Sequence, residues 1–377
     1  MPTPRPRTSR SSTSWKRRAS PASIKSPSPR RPAARNSVLA RRASLESALT
    51  RAWLRRGWLA CLLYPISLLF RLLAVLRRLA FRFGLAASTR LPVPVIVVGN
   101  IFVGGTGKTP LTIWLVAQLR AAGLRPGVIS RGYQGSADAP RAVTPDARAA
   151  EVGDEPLLIA QRTGCPLFVG RRRAAAAQAL LAAHPDVNVI VSDDGLQHYA
   201  LARDVEIVLC DGRGNGNGWL LPAGPLREPA SRRRDVTVVN GDTVPPGIAG
   251  PVFRMQLSGP AAHRLADPAQ ISPLGALSGR IAAAAGIGHP ERFFASLRAA
   301  GLNITPIPLP DHFDFASNPF TGVDADVILI TEKDAVKCRQ LAELNNDPRL
   351  WFVPVTAQID PALATQILEK CRGLPPA

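Results

Sequence analysis

Large apolar residues first become frequent between residues 51 and 84, after a segment that contains almost none. The uninterrupted apolar run, Trp58 to Phe70, has 13 residues, whereas a helix that spans a bilayer needs about 20. Arg71, Arg78 and Arg82 follow it on one helical face. This pattern predicts helices that lie in a membrane interface, with the Arg side chains reaching the headgroups.

Two other arrangements fit the same segment. An apolar helix can pack on the domain that follows it, and a helix can cross the bilayer. The length of the run favours the interfacial arrangement over the spanning one. Pro65 lies inside the run, and because proline interrupts the hydrogen bonding of a helix, it predicts a break between two helices.

From Pro92 the pattern changes to short apolar runs that alternate with amphipathic segments. The first run, PVPVIVVGN, is rich in β-branched residues, as a strand buried in a parallel sheet should be. Strands are predicted at 127–130, 167–169, 187–192, 206–210, 236–240, 252–257, 280–284, 327–331 and 351–355, and helices at 109–122, 155–163, 174–183, 290–300 and 332–344. Strands that alternate with helices predict an α/β fold with a doubly wound, mostly parallel sheet and a second, smaller α/β domain.

The net charge of +20 is concentrated before residue 91. Residues 1–50 hold twelve Lys and Arg and the single acid Glu46, and residues 51–90 hold eight Arg and no acid, so the remainder is nearly neutral. A basic appendage on a neutral body favours an anionic membrane surface as partner, and nucleic acid is not expected to bind. The five cysteines form no CxxC pair, so neither a disulfide framework nor a zinc site is predicted.

A Gly-rich segment follows the first strand and opens a helix, which is the context of a phosphate-binding loop. The residues whose backbone N–H groups would face the phosphates of a ligand are Gly104, Gly105, Thr106 and Gly107, together with Lys108. Lys108 would reach the β- and γ-phosphates, and the Thr109 hydroxyl would meet Mg²⁺. Phe102 stands where the strict motif has glycine, so the match is partial, and a tight turn without a ligand is the alternative.

Two pairs of adjacent carboxylates accompany this loop. Asp193 and Asp194 end an apolar strand, where P-loop enzymes place the acid that holds Mg²⁺; a solvent-exposed turn is the alternative. Asp154 and Glu155 open a predicted helix. From spacing alone, Asp154 fits a helix N-cap and a general base equally well, and Glu155 fits a metal ligand.

Two weaker constellations lie further along the chain. Asp311 and His312 form either a pair that orients a catalytic base or the closure of a turn. Arg227 and Glu228, between prolines, offer a guanidinium suited to phosphate and a carboxylate suited to metal or ribose. A linker accounts for the same residues, since Pro and Gly clusters mark loops generally.

In this order the motifs resemble those of the tetraacyldisaccharide 4′-kinases of lipid A biosynthesis, over about residues 50–360. They are PVPVIVVGN, VGGTGKTP, SRGYQG, GDEPLL, VSDDGLQH, RDVEIVLCD, GNGWLLPAGPLRE, GIGHPERFF, DHFDF and TEKDAVK. The resemblance implies transfer of the γ-phosphate of ATP, with Mg²⁺, to the 4′-hydroxyl of a tetraacylated glucosamine disaccharide 1-phosphate, forming the lipid A precursor lipid IVA. It also implies a peripheral or monotopic enzyme on the cytoplasmic face of the Gram-negative inner membrane.

The resemblance also implies roles for individual residues. It makes Asp154 the catalytic base, His312 its partner and Lys108 a catalytic residue of the loop. The implied ATP-binding residues are Gly104, Gly105, Thr106, Gly107, Lys108, Thr109, Arg227 and Glu228. The implied Mg²⁺ ligands are Thr109, Glu155, Asp193 and Asp194, and the implied substrate residues are Tyr133, Arg171 and His198.

We therefore expect a disordered basic tail at 1–45, a membrane-associated helical segment at 46–88, a P-loop kinase domain at 89–235 and a smaller C-terminal α/β domain at 236–377. The expected partners are the lipid A disaccharide precursor and the anionic inner-membrane surface, with no obligate protein partner. A membrane-associated P-loop ATPase that acts as a switch or assembly factor is the alternative. Val103 stands where a related class of such ATPases carries an additional lysine, which counts against it.

Overall fold

The computed structural model describes residues 53–132, 139–248 and 250–372, so the predicted basic tail and Tyr133 lie outside the described residues. The helices in this part of the chain are α1 (Trp58–Arg82), α2 (Lys108–Ala121), α3 (Ala149–Val152), α4 (Asp154–Thr163), α5 (Arg173–Ala183), α6 (Pro290–Ala299), α7 (Glu332–Cys338), α8 (Ala342–Asn345) and α9 (Ala362–Arg372). The strands are β1 (Val95–Gly99), β2 (Pro126–Ser130), β3 (Arg141–Ala142), β4 (Leu167–Val169), β5 (Val189–Asp193), β6 (Val205–Asp211), β7 (Val236–Asn240), β8 (Val252–Ser258), β9 (Ala261–Arg264), β10 (Ile271–Pro273), β11 (Ile281–Ala285), β12 (Ile304–Pro308), β13 (Val327–Thr331), β14 (Leu350–Val353) and β15 (Thr356–Ile359).

The larger sheet contains nine of the described strands, in the order β15-β8-β7-β6-β1-β5-β2-β4-β3. Neighbours pair in parallel except at the two edges, where β15 and β3 run antiparallel to β8 and β4. Every residue of β1, β2, β4, β5 and β7 is buried, which explains their largely continuous apolar runs. Helices α2, α4 and α9 cover one face and α5 covers the other, so the prediction of a doubly wound α/β fold is confirmed.

The smaller sheet contains six of the described strands, in the order β10-β9-β14-β13-β11-β12. Strands β14, β13, β11 and β12 are parallel, and β9 and β10 add antiparallel strands at the other edge. The two sheets divide the chain differently from the expected domain boundary at 235–236. Strands β7 and β8 belong to the larger sheet because β7 continues the parallel pairing of β6, and β15 returns to pair with β8.

Helix α1 is continuous over 25 residues, so the break predicted at Pro65 is wrong. A proline inside a helix removes one hydrogen bond, and here contacts on both sides of it hold α1 on the body. The Tyr64 ring lies 4.4 Å from the Trp219 ring, and the Ser67 hydroxyl donates a hydrogen bond of 2.8 Å to the Leu220 carbonyl. By length and composition alone α1 can cross a membrane, and 11% of its most apolar window is buried, so it is not a helix of the apolar core.

The carboxyl ends of the parallel strands in the two sheets face each other. The loop after β11 reaches the loop after β1, since a Cβ atom built on Gly288 would lie 3.5 Å from the amide nitrogen of Gly105. Arg162 of α4 donates hydrogen bonds of 2.7 and 2.8 Å to the Glu332 carboxylate at the start of α7. Functional residues of open α/β sheets collect at this edge, so the cleft between the two sheets is the natural position for an active site.

Candidate active site

The loop 104–109 connects β1 to the N-terminus of α2, and an asparagine that follows β1 fixes its shape. The side-chain amide of Asn100 donates hydrogen bonds to the carbonyl oxygens of Phe102 at 2.6 Å and Gly104 at 3.0 Å. Its Oδ1 accepts a hydrogen bond of 3.1 Å from the Lys108 ammonium group. Asn100 therefore holds both the turn of the loop and the cation that the sequence assigns to the phosphates.

A second asparagine supports the loop from a neighbouring strand. Asn240, the last residue of β7, is buried and donates a hydrogen bond of 2.8 Å to the Thr106 carbonyl. Gly107 is required at this approach because its φ is 99° and an added Cβ would lie 2.7 Å from the Asn240 amide nitrogen. The loop is thus fixed against the larger sheet, and the positive end of the α2 dipole lies where an anion can bind.

Phe102, the departure from the strict phosphate-loop pattern, lies in the apolar core. Its side chain is 2% exposed, and its backbone forms a bridge with Leu226. The Arg213 guanidinium lies 4.3 Å from the centre of the Phe102 ring and donates a hydrogen bond of 3.2 Å to the Gly105 carbonyl. Phenylalanine fits at this position because its ring provides the surface over which the Arg213 guanidinium lies. Arg213 in turn holds the loop through the Gly105 carbonyl.

Asp193, the last residue of β5, lies beneath this loop. Its buried carboxylate accepts hydrogen bonds from the Ser130 hydroxyl at 3.1 Å and the Thr112 hydroxyl at 3.4 Å. Burial, together with the charges of Glu155 and Asp194, raises the pKa of Asp193 to about 6. Crowded carboxylates of this kind suit a cation with a preference for oxygen ligands.

Asp194 connects the carboxylate pair to the cations of the site. Its Oδ1 lies 3.5 Å from the Lys108 ammonium and 3.5 Å from the Arg227 guanidinium. Burial acts to raise the pKa of Asp194, but the charges of Lys108, Arg227 and Arg173 outweigh burial, and its pKa lies below the ordinary value. The φ of Asp194 is 48°, in the left-handed region, a conformation that non-glycine residues adopt mainly where function or packing requires it.

Asp154 and His312 are 158 positions apart in the sequence, and the fold brings them into contact. Asp154, at the start of α4, is buried, and its Oδ2 lies 3.1 Å from the His312 Nδ1. Burial alone would raise the pKa of Asp154. The hydrogen bond with His312 and the charges of Lys333 and Lys337 prevail, so its pKa lies well below the usual range. The same hydrogen bond raises the pKa of His312.

The N-cap alternative for Asp154 does not describe this helix end. Gly153 occupies the N-cap position of α4, with no side-chain capping bond. Within the helix, Asp154 Oδ1 accepts a hydrogen bond of 2.9 Å from the Glu155 backbone N–H. The Glu155 carboxylate is paired at 2.9 Å with the Lys333 ammonium. Both carboxylates at the start of α4 are therefore directed into the cleft between the sheets.

The remaining predicted residues have more varied surroundings. Glu228 is buried and accepts hydrogen bonds from the Tyr199 hydroxyl at 2.6 Å and the Gln197 amide at 2.8 Å, so its two oxygens are engaged within the protein. Arg171 is exposed in the turn before α5. His198 is partly buried, and burial together with the Arg173 charge lowers its pKa to about 4. The fold thus places Arg227 beside Asp194. The Glu228 carboxylate instead faces Tyr199 and Gln197, away from the predicted role in binding ATP.

Several residues of the site were not identified from the sequence. They are Asn100 and Asn240, which hold the loop, Arg173, which lies near Asp193 and Asp194, and Lys333 and Lys337, which face Asp154. An asparagine that ends or follows an apolar strand is the signal for the first two. The signal for the two lysines is their four-residue spacing in a helix that follows a strand. No comparable signal marks Arg173, whose pKa burial lowers to about 10.

Comparisons with known proteins identify a family and a similar solved structure. The model of the family LpxK, tetraacyldisaccharide-1-P 4′-kinase, matches residues 59–372. The tetraacyldisaccharide 4′-kinase of Herminiimonas arsenicoxydans is 64% identical over 346 residues, which cover 88% of this chain and 97% of the relative. That of Janthinobacterium sp. (strain Marseille) is 64% identical over 339 residues, with coverages of 88% and 98%. A crystal structure of the "apo" form of LpxK from Aquifex aeolicus in complex with ATP has a TM-score of 0.69 and 27% identity, covering 83% of this chain and 99% of that one.

Proposed function

The chain belongs to the tetraacyldisaccharide 4′-kinase family, and we propose on that premise that its cleft transfers the γ-phosphate of ATP to the 4′-hydroxyl of a tetraacylated glucosamine disaccharide 1-phosphate. The relatives' names give the class of reaction, and the similar Aquifex aeolicus structure contains ATP. The loop 104–109 at the N-terminus of α2 is the ATP phosphate site.

The observation that carries the catalytic part of this proposal is the contact of 3.1 Å between Asp154 and His312. A sugar hydroxyl must lose its proton as its oxygen bonds to the γ-phosphorus, while the bond from that phosphorus to the bridging oxygen breaks and ADP leaves. Asp154, held by His312, accepts this proton as general base. Lys108 and the N-terminus of α2 stabilise the negative charge on the phosphoryl oxygens.

We infer that Mg²⁺ enters with ATP and is held by Asp193, Asp194 and Thr109. Carboxylate and hydroxyl oxygens are suitable ligands, and a cation would offset both the burial and the neighbouring carboxylate charges that raise the pKa of Asp193. Within the described ranges no group of three or more His, Cys, Asp and Glu side chains forms a metal site by itself. This fits Mg²⁺, which usually completes its coordination with substrate phosphates and water. When bound, it would neutralise phosphate charge.

The decisive experiment combines the purified protein, γ-radiolabelled ATP, Mg²⁺ and the purified disaccharide lipid. The expected result is a radiolabelled lipid product that requires both the protein and the lipid. ATP hydrolysis without label in the lipid would overturn the proposed function and support the alternative of a P-loop ATPase that acts as a switch.

We expect kcat to rise with pH through the pKa of His312. The hydrogen bond with Asp154 raises this pKa above the ordinary histidine value, so the pair carries an additional proton at low pH and cannot accept another one. The stabilisation that the protonated pair gives the fold follows the same titration: it is complete below the ordinary histidine pKa and is lost as the pH rises through the raised value. The measurement is kcat between about pH 5.5 and 9, and Lys370→Met is the control variant.

In the variant His312→Gln the rise of kcat with pH (the ascending limb of the pH profile) should disappear together with most of the activity. An ascending limb with an unchanged midpoint in that variant would show that another group titrates.

We propose that α1 lies along the membrane interface and holds the cleft at headgroup level. At 25 residues, α1 is about 37 Å long, and it touches the body in its middle part and again towards its C-terminal end. The Ser67 hydroxyl bonds to the Leu220 carbonyl, and further along the Arg77 guanidinium bonds to the Gln197 carbonyl at 3.3 Å. A helix fastened along its length to a polar body favours an in-plane position over a crossing one. The cytoplasmic face of the inner membrane is the side where ATP is available.

Replacing Leu69, Leu72 and Leu73 with glutamine should weaken binding to anionic vesicles by about tenfold or more, since full burial of even one leucine contributes about 1.5–3 kcal/mol and about 1.4 kcal/mol is a tenfold change in affinity. These side chains are 57%, 53% and 57% exposed. The measurement is co-sedimentation with phosphatidylglycerol-containing vesicles, with ATP affinity unchanged. The matched control replaces three exposed apolar residues of the sheets with glutamine, namely Val252, Leu257 and Ile271. Equal loss of binding in both variants would contradict an interfacial role for α1.

A further inference from the structure

Lys337 of α7 lies behind the catalytic pair, where it touches two carboxylates. Its ammonium nitrogen is 3.5 Å from Asp154 Oδ2 and 3.2 Å from Asp334 Oδ1. The Lys337 side chain is 11% exposed, so these ion pairs form largely out of water, where they are less screened than at the surface. Lys337 is therefore fixed in place and directed at the carboxylate that we assign as the base.

The second carboxylate, Asp334, is anchored to the backbone of the smaller sheet. Its Oδ2 accepts hydrogen bonds from the Gly286 N–H at 2.9 Å and the Thr331 hydroxyl at 2.7 Å. Asp334 is fully buried. The Thr331 hydroxyl also caps α7, because it accepts a hydrogen bond of 3.1 Å from the Asp334 backbone N–H. The ammonium group thus has a rigid support on the smaller sheet, while Asp154 belongs to a helix of the larger sheet.

Lys337 also touches the loop that carries His312. Its ammonium nitrogen lies 5.3 Å from the centre of the Phe315 ring. Phe315 is 3% exposed and packs against Phe313 and Phe320. Both His312 and Phe315 have a φ of 56°, so this loop holds two non-glycine residues in the left-handed region. A single cation therefore contacts Asp154 directly and His312 through its loop.

We propose that Lys337 is a positioning residue that holds the Asp154 carboxylate and the His312 loop in the geometry needed for proton transfer. It acts through Asp154 and does not contact either substrate, and the inference rests on the proposed kinase function. Misplacement of a catalytic group by about 1 Å can cost about 100-fold in rate. We expect the loss of a positioning residue to lower the rate by up to about this factor.

The neighbouring lysine does not duplicate this role. Lys333 also faces Asp154, at 3.9 Å, but its ammonium group is bound at 2.9 Å to Glu155 and lies 3.8 Å from Asp311. Without Lys337, the buried carboxylates of Asp154 and Asp334 would lose the cation that they share, and Asp154 would turn towards Lys333.

The test compares Lys337→Met and Lys337→Arg with the wild-type chain in the lipid phosphorylation assay. We expect Lys337→Met to lower kcat about 10- to 100-fold with the KM for ATP within about twofold, and Lys337→Arg to restore most of the activity. In the Asp154→Asn background, Lys337→Met should have no further effect, since the group that it positions is gone. The matched control is Lys370→Met, which removes a lysine paired with Asp235 at 2.8 Å on the surface.

Three results would overturn the inference. They are a normal kcat in Lys337→Met, an equal loss from Lys337→Met with and without Asp154, and a rise in the KM for ATP as large as the fall in kcat. If Lys337→Met unfolds, as monitored by circular dichroism, Lys337→Gln takes its place, and unfolding of both variants would assign Lys337 a purely structural role. Absence of lipid phosphorylation by the wild-type chain would instead overturn the proposed function itself.

Discussion

Replacing Asp154 with alanine should abolish phosphoryl transfer to the lipid disaccharide while ATP still binds. Asp154 is the buried carboxylate that contacts His312 at 3.1 Å, and general base catalysis contributes about 10²- to 10⁴-fold to a reaction of this kind. The ATP phosphates are expected to contact a different element, the loop 104–109. The measurement is kcat with radiolabelled ATP and the lipid, together with the Kd for ATP from a direct binding assay.

The matched control for this variant is Asp267→Ala, which removes an exposed carboxylate from a turn of the smaller sheet. It should leave both kcat and ATP affinity unchanged. Near-normal turnover in Asp154→Ala would remove Asp154 as the base. A matching loss of ATP affinity would indicate that Asp154 acts on the nucleotide site instead.

Replacing Lys108 with alanine should damage both ATP binding and the chemical step. The Lys108 side chain is 12% exposed and lies 3.5 Å from Asp194 and 3.1 Å from Asn100 Oδ1, so it is held in place before ATP arrives. Removing a pre-organised donor to developing oxyanion charge costs about 10²- to 10³-fold in rate. We expect kcat/KM for ATP to fall by at least this factor, with the decrease divided between kcat and KM.

Steady-state kinetics at varied ATP, with saturating lipid, measure this effect. Lys370→Ala is the control, because that lysine is 41% exposed in a surface ion pair with Asp235, and such pairs contribute little to the stability of the fold. A Lys108→Ala enzyme that keeps wild-type kcat and KM for ATP would contradict the assignment of the loop 104–109 as the phosphate site.

Much of the fold could be predicted from the sequence because buried parallel strands have a local signature. Strands β4, β7 and β13 have the bounds that their apolar runs predict, since a strand buried on both faces needs no alternation. The predictions failed where that signature is absent. Strand β12 contains two prolines and β15 is a half-exposed edge strand, so neither forms a continuous apolar run.

The helices gave a similar outcome. Residues 332–344 were predicted as one helix, but α7 ends at Cys338 and α8 starts at Ala342. The apolar spacing continues across the gap. After Cys338 the backbone N–H groups of Gln340 and Leu341 bond only three residues back, to Lys337 and Cys338, so the helix ends in a tight turn. The Gln340 side chain bonds to the Ala147 carbonyl of the larger sheet's half of the chain. Such tertiary contacts leave no mark in local periodicity.

The residue types of the candidate site were also readable from the sequence, since a phosphate loop requires glycines and a lysine after a buried strand. The sequence left Asp154 open between a helix cap and a base, and it left His312 open between a base partner and a turn. Their contact is made across 158 positions, and no local pattern encodes a distance of that kind. The fold decides it by placing the start of α4 opposite the loop after β12.

The sequence by itself determined the class of this protein: an α/β chain with a phosphate loop, two acidic pairs and a basic apolar segment at its start. These features depend on residue type and on spacing within a few turns of chain. The tertiary structure alone decided that α1 runs unbroken through Pro65, that Phe102 lies in the core beneath Arg213, and that Lys337 contacts both Asp154 and the Phe315 ring in the His312 loop. Each of these depends on contacts between residues far apart in the chain, which packing of the two sheets creates.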